Sequence, residues 1–96
     1  MALEFFGRFH ARSGAEAALE AAIRELGGPS RSDPGCIGWQ AFRSVRVPGE
    51  FHVHSTWTDR ASFERHAALP HVVRFLAVVA TSIDHPLDAG LAEPLE

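Results

Sequence analysis

Ninety-six residues leave room for one domain, and a domain of this size buries only roughly 60–65% of the surface its unfolded chain exposes, so self-association is a common support. A net charge of −3 offers no basic excess to phosphate backbones, which excludes nucleic acid as an expected partner. The lone Cys36 forms no intrachain disulfide, the start lacks the basic and apolar regions of a signal peptide, and the apolar run Phe75 to Ala80 is too short to span a bilayer; a cytoplasmic protein with no membrane partner is expected.

The first element, Leu3 to Ala11, reads as a strand. Its period-2 split places Leu3, Phe5 and Phe9 on one face and Phe6, Arg8 and His10 on the other. Ser13-Gly14-Ala15-Glu16 has the form of a capping box. A helix follows with Leu19, Ala22, Ile23 and Leu26 on one stripe, and Gly27-Gly28-Pro29 is expected to end it. Ser30 to Gly35 then forms a polar connection with a turn at Asp33-Pro34-Gly35.

Cys36 to Val47 reads as the second strand, with Ile37, Trp39 and Ala41 on one face. Pro48-Gly49 turns the chain into a third strand, Glu50 to Trp57. Its faces are Phe51, Val53, Ser55 and Trp57 against His52, His54 and Thr56. Thr58 or Asp59 caps a second helix running to about Leu69, with Ala61, Phe63 and Ala67 as inward candidates. Pro70 opens a further helical segment with Val72, Val73, Leu76 and Val79 as its apolar stripe. Within His85 to Leu95, the alternation of Leu87, Ala89 and Leu91 suggests a short last strand.

The order β-α-β-β-α-β is the α+β, ferredoxin-like arrangement: a four-stranded antiparallel sheet with helices on one face, here a single domain over residues 1–96. The other face collects Phe6, Arg8, His10, Gln40, Phe42, His52 and His54. It is too apolar to be left wet and too polar for a monomer core, so a second copy packed against it, a homodimer, is expected.

Three stretches carry a resemblance. The first is Gly7-Arg8-Phe9-His10-Ala11-Arg12-Ser13-Gly14; the second is Ser30-Arg31-Ser32-Asp33-Pro34-Gly35-Cys36-Ile37-Gly38-Trp39; the third runs from Trp57 through His66 to Pro70-His71. Their order and spacing resemble the antibiotic biosynthesis monooxygenase domain, a branch of the dimeric α/β-barrel proteins. The resemblance covers nearly the whole chain. It implies pairing of two sheets into a barrel and cofactor-independent oxygenation of an aromatic hydroxyl or quinol-type small molecule by molecular oxygen, with no cofactor or metal. The family usually has a glutamate two residues before the tryptophan; here the position is Ser55, and the chain has no tyrosine. A non-oxygenase binding protein, or a lyase- or isomerase-like member of the same superfamily, is the alternative. The haem-degrading branch wants an axial histidine near position 76, which is Leu76.

Oxygenation without a cofactor needs apolar walls around a flat substrate and one base that titrates near neutrality, and histidine suits that base. His66 occupies the helix position that the family tends to fill with histidine, and it shares a helix face with Phe63. The expected site therefore has His66 and Trp57 as catalytic residues and Phe9, Trp39, Val53, Ser55, Phe63 and Phe75 as substrate-binding ones. His71 is expected at the surface, and Cys36 as a small buried hydrophobe. His52-x-His54 places two imidazoles on one strand face, where His10 could complete a three-histidine metal site. With no aspartate or glutamate beside them on that face, hydrogen bonding across the dimer interface is the expected role instead.

Overall fold

The computed structural model describes residues 2–96. Four strands and three helices follow in the order β1 (Leu3–His10), α1 (Glu16–Ser32), β2 (Cys36–Arg43), β3 (Glu50–Trp57), α2 (Arg60–Ala67), α3 (Pro70–Ser82) and β4 (Asp88–Ala92). The strands form one antiparallel sheet in the order β2-β3-β1-β4. This is the ferredoxin-like α+β fold that the sequence pattern predicts, with the second helical region split in two at Pro70. No helix among the described residues is long and apolar enough to cross a membrane.

β1 and β3 take the centre because their alternation supplies the helix-facing residues. Phe9, Phe51 and Val53 are buried there with Leu19, Ile23 and Leu26 of α1 and Val72, Phe75 and Val79 of α3. Phe9 and Phe75 meet edge to face, 5.7 Å between ring centres. Along α3 the inward stripe is Val72, Phe75 and Val79, whereas Val73 and Leu76, expected inward, are exposed. In α2 the inward residues are Ser62 and His66; Phe63 and Ala67 are half-buried and Ala61 is exposed.

Several local expectations are corrected. α1 does not stop at Gly27-Gly28-Pro29 but runs three residues further. Gly27 is buried against Trp39, where a Cβ would sit 2.8 Å from the indole ring, so the glycine serves close approach and not termination. The extra turn brings Arg31 over the same indole, 5.2 Å from its centre, and onto the Trp39 carbonyl. The capping box does not form. The N-cap position falls on Ala15, two residues after Ser13; Gly14 takes a positive φ of 91°, and Glu16 accepts from the Gly14 N–H instead.

β1 ends at His10; Ala11 makes an isolated bridge to Ile83. β2 ends at Arg43, four residues short of the expected Val47, because the Ser44 hydroxyl accepts from the N–H groups of Arg46 and Val47 and draws the chain out of the ladder. A register shift between Cys36 and Gly38 puts Cys36 opposite Trp57 and against the core, while Ile37 turns out to solvent. Ala41, at the sheet edge, is exposed as well.

The uncovered face is as apolar as the pattern implied: Phe6 and Phe42 are 51% and 49% exposed. Its histidines, however, each have a carboxylate beside them. Glu4 lies opposite Thr56 and accepts from Thr56 Oγ1 and from His54 Nε2 at 2.7 Å. Glu50 meets His52 at 3.1 Å and Arg8 at 3.0 Å, and Asp84 meets His10 at 2.6 Å. Register explains it: Glu4 and Glu50 sit at even positions of β1 and β3, like the histidines. The residues opposite His52 and His54 are Arg8 and Phe6, so the strands assemble no three-histidine cluster.

Candidate active site

Two turns of backbone deliver the polar part of the site. Asp59 caps α2 by accepting from the Ser62 N–H at 2.8 Å, and this fixes the helix phase that turns His66 inward. Asp33-Pro34-Gly35-Cys36 closes with the Cys36 N–H on the Asp33 carbonyl at 3.1 Å. Proline second and a glycine of φ +87° third make this a type II turn. Gly35 lies so close to Ser62 that a Cβ would stand 2.3 Å from its hydroxyl, and its carbonyl accepts from the Thr58 N–H. The turn is thereby pinned to the start of α2, and Asp33 lands beside His66.

His66 Nδ1 lies 2.6 Å from Asp33 Oδ2, and His71 Nε2 lies 3.2 Å from the same oxygen. The side chains of His66 and Asp33 are 8% and 11% exposed and that of His71 is 19%. A carboxylate oxygen accepts, so the hydrogen belongs on Nδ1 and the lone pair on Nε2. Among the described residues Nε2 has no hydrogen-bond partner. Among the described residues Ser30 Oγ is the one fully enclosed side-chain polar atom without a partner, so Nε2 keeps an opening. Burial pushes the His66 pKa below its ordinary value; the Asp33 hydrogen bond and charge oppose that, and the His71 charge adds to it.

His66 also stacks against Trp57, with ring centres 4.3 Å apart. Trp57 is fully buried, and its indole N–H donates to Ser55 Oγ at 2.9 Å. Beside them lies a cavity of about 160 Å³ between the sheet and α2–α3. Its walls are mostly apolar, and His66 is the one ionisable residue lining it. Leu76 and Leu87, both substantially exposed, also line it and mark its mouth.

The structure gathers His66, Phe9, Trp39, Val53, Ser55, Phe63 and Phe75 around this one cavity. Trp57 is not among the lining residues and backs His66 from the protein side. Sequence reasoning missed Asp33, whose turn motif signalled backbone geometry but not its carboxylate. It also placed His71 at the surface, whereas His71 is half-buried on Asp33. Cys36 is only partly buried, and burial followed by the Asp33 charge raises its thiol pKa. Asp33, His66 and His71 are the one group of three potential metal-ligating side chains among the described residues, with donor atoms within 4.8 Å of one another.

The profile of the family described as antibiotic biosynthesis monooxygenase matches residues 5–78. The chain belongs to that family. The Mycobacterium tuberculosis protein named "Putative monooxygenase Rv0793" is 26% identical over 89 residues, covering 93% of this chain and 87% of that one. The structure of Rv0793 superposes with a TM-score of 0.95 over the whole of this chain and 97% of the other, at 24% identity. PA3566 of Pseudomonas aeruginosa gives a TM-score of 0.91 at 25% identity, over 99% of this chain and 95% of that one. A mutant of SnoaB, a cofactor-independent oxygenase from Streptomyces nogalater, gives 0.86 at 20% identity over 99% and 94%, a likeness of fold alone.

Proposed function

We propose that this family member is a cofactor-independent monooxygenase that oxidises an aromatic hydroxyl or quinol-type small molecule, acting as a homodimer through its open sheet face. The observation that carries the reading is a single ionisable group, His66, set into a mostly apolar cavity with its Nδ1 held by a carboxylate. Family membership and the description of SnoaB as a cofactor-independent oxygenase support it.

The chemistry follows from that arrangement. An apolar cavity of about 150 Å³ in another protein takes up benzene, so a cavity of about 160 Å³ suits one aromatic ring, and further rings extend past Leu76 and Leu87. His66 Nε2 takes a proton from the substrate and becomes an imidazolium that Asp33 stabilises. The electron-rich substrate anion passes one electron to molecular oxygen, and the resulting radical pair joins in a carbon–oxygen bond. The peroxide O–O bond then breaks as the same carbon loses its remaining hydrogen as a proton. One oxygen stays as a carbonyl and the other leaves as water, its protons being the two the substrate gave up. The substrate carbon supplies all four electrons that take O2 to one carbonyl oxygen and one water, so the reaction CH2 + O2 → C=O + H2O balances without a cofactor.

The test is oxygen uptake with anthrone-type and naphthohydroquinone substrates. Uptake above the buffer rate, reduced about 100-fold or more in kcat/KM by His66→Ala, is expected. No uptake, or equal uptake by that variant, rejects the reading. A ligand-induced rise in melting temperature without oxygen consumption would instead favour a binding or isomerase-like protein.

A further inference from the structure

The shared carboxylate oxygen has a consequence of its own. Asp33 Oδ2 receives two imidazoles, His66 Nδ1 at 2.6 Å from inside and His71 Nε2 at 3.2 Å from nearer the surface. The two rings stand 5.9 Å apart, tilted by 60°. They come from different elements, α2 and α3, and Asp33 comes from the turn after α1, so three parts of the chain converge on one oxygen.

We propose that Asp33 is a positioning residue that keeps His66 in the tautomer with a basic Nε2, and that His71 governs the basicity of that nitrogen through its hold on the same carboxylate. This deepens the proposed function and rests on it only for the role of Nε2. One carboxylate carries one negative charge. When His71 is cationic it draws on that charge and repels an imidazolium at His66, so His66 accepts a proton less readily. When His71 is neutral, the charge of Asp33 is left to His66. The titratable groups acting on His66 are Asp33 from the turn and His71 from α3; the Trp57 and Phe63 rings packed on it carry no charge. The arrangement also explains why a buried histidine is paired with an acid whose second partner lies nearer solvent: protonation outside is felt inside.

A metal held by the three donors is the competing use of the cluster. The 2.6 Å contact is a hydrogen-bond distance and is shorter than two ligands on one ion adopt, since both must stand roughly 2.0–2.2 Å from a zinc at near-tetrahedral angles.

Nitrogen-15 spectra of the imidazole side chains, recorded against pH, test the proposal without any substrate. In wild-type protein His66 is expected with hydrogen on Nδ1 and an unprotonated Nε2. His71→Gln keeps a donor near Oδ2 but removes the charge, and it is expected to raise the His66 midpoint. Asp33→Asn is expected to lower that midpoint and to mix the tautomers. Thermal melts establish that each variant is folded; if Asp33→Asn does not fold, His71→Gln alone decides. A His66 hydrogen on Nε2 in the wild type, or a midpoint unchanged in His71→Gln, overturns the proposal, as does a stoichiometric metal in protein purified without a histidine tag. In an active enzyme the acid limb of kcat/KM should move with the same signs. If the spectra behave as expected and no substrate consumes oxygen, the functional reading fails while this one stands.

Discussion

Asp33 and His66 are separated by 33 residues of sequence and by 2.6 Å in space, and the contact joins the turn before β2 to the helix after β3. It does two opposing things to the histidine. Burial disfavours the imidazolium, and the carboxylate favours it; burial is the larger influence, so the pKa lies below the usual 6.5. The outcome is a base that is neutral and ready at physiological pH, yet has a counter-charge waiting when it takes a proton.

A pH dependence of stability follows. Because the folded-state pKa of His66 is depressed, the unfolded chain binds the proton more readily than the folded one. Stability linked to His66 is therefore present above about pH 6.5 and is lost as the pH falls from there through the lower, folded-state value. Melting temperatures measured from pH 7.5 down to 5 should fall more steeply for the wild type than for His66→Gln. Parallel curves would show that His66 titrates alike in both states.

Much of this fold is legible in the sequence, because alternation and capping act locally. β1 and β3 alternate cleanly, Asp59 sits where a cap belongs, and Pro70 starts α3. Where the end of α1 is misread, tertiary contacts outweigh local signals. Gly27 and Pro29 read as a helix stop, yet Trp39 packs on Gly27 and Arg31 on Trp39, so the helix continues. Ile37 reads as a core residue until the irregularity at Cys36–Gly38 turns it outward. Within the candidate site, the apolar residues and His66 are readable because periodicity and the family resemblance mark them. Asp33 is not, since nothing in a D-P-G turn says which distant helix its side chain will meet.

The Ser55–Trp57 pair yields a stability prediction. Trp57 is fully buried, and Ser55 Oγ is the acceptor for its indole N–H. Ser55→Ala would leave that donor unpaired in the core, at a cost of about 1–3 kcal/mol in chemical denaturation. In a double-mutant cycle with Trp57→Phe, which removes the donor, the added cost of Ser55→Ala should shrink to near zero. Additive losses would mean that the hydrogen bond contributes nothing.

The open sheet face predicts the oligomer. Phe6 stacks on His54 with ring centres 4.7 Å apart and remains half exposed, and Phe42 on β2 is equally bare. Around them Arg8 bridges Glu50 and Asp88, a polar arrangement suited to an interface that is apolar at its centre. Light scattering coupled to size exclusion should give a mass twice the 10.5 kDa of one chain, and Phe6→Glu should shift it towards the monomer. A wild-type mass of one chain at concentrations of tens of micromolar would remove the dimer from the proposal.

The turn that carries Asp33 offers the sharpest separation of fold from site. Gly35 has a φ of +87°, a region costly for other residues, and its missing side chain makes room for Ser62. Gly35→Ala therefore imposes backbone strain and a clash against the first turns of α2, with an expected loss of about 1–3 kcal/mol or more. Relief of the clash moves the turn away from α2, and Asp33 moves with it. The variant should show a depressed melting temperature and also a His66 midpoint shifted in the same direction as in Asp33→Asn. Gly49 provides the control: it too has a positive φ, +80°, but a Cβ there would meet no atom nearer than 3.6 Å, and it lies in the β2–β3 hairpin away from Asp33. Gly49→Ala should lower stability by strain while leaving the His66 midpoint unchanged. If both variants shift His66 alike, the effect is a general loosening of the protein and the turn has no particular hold on the site.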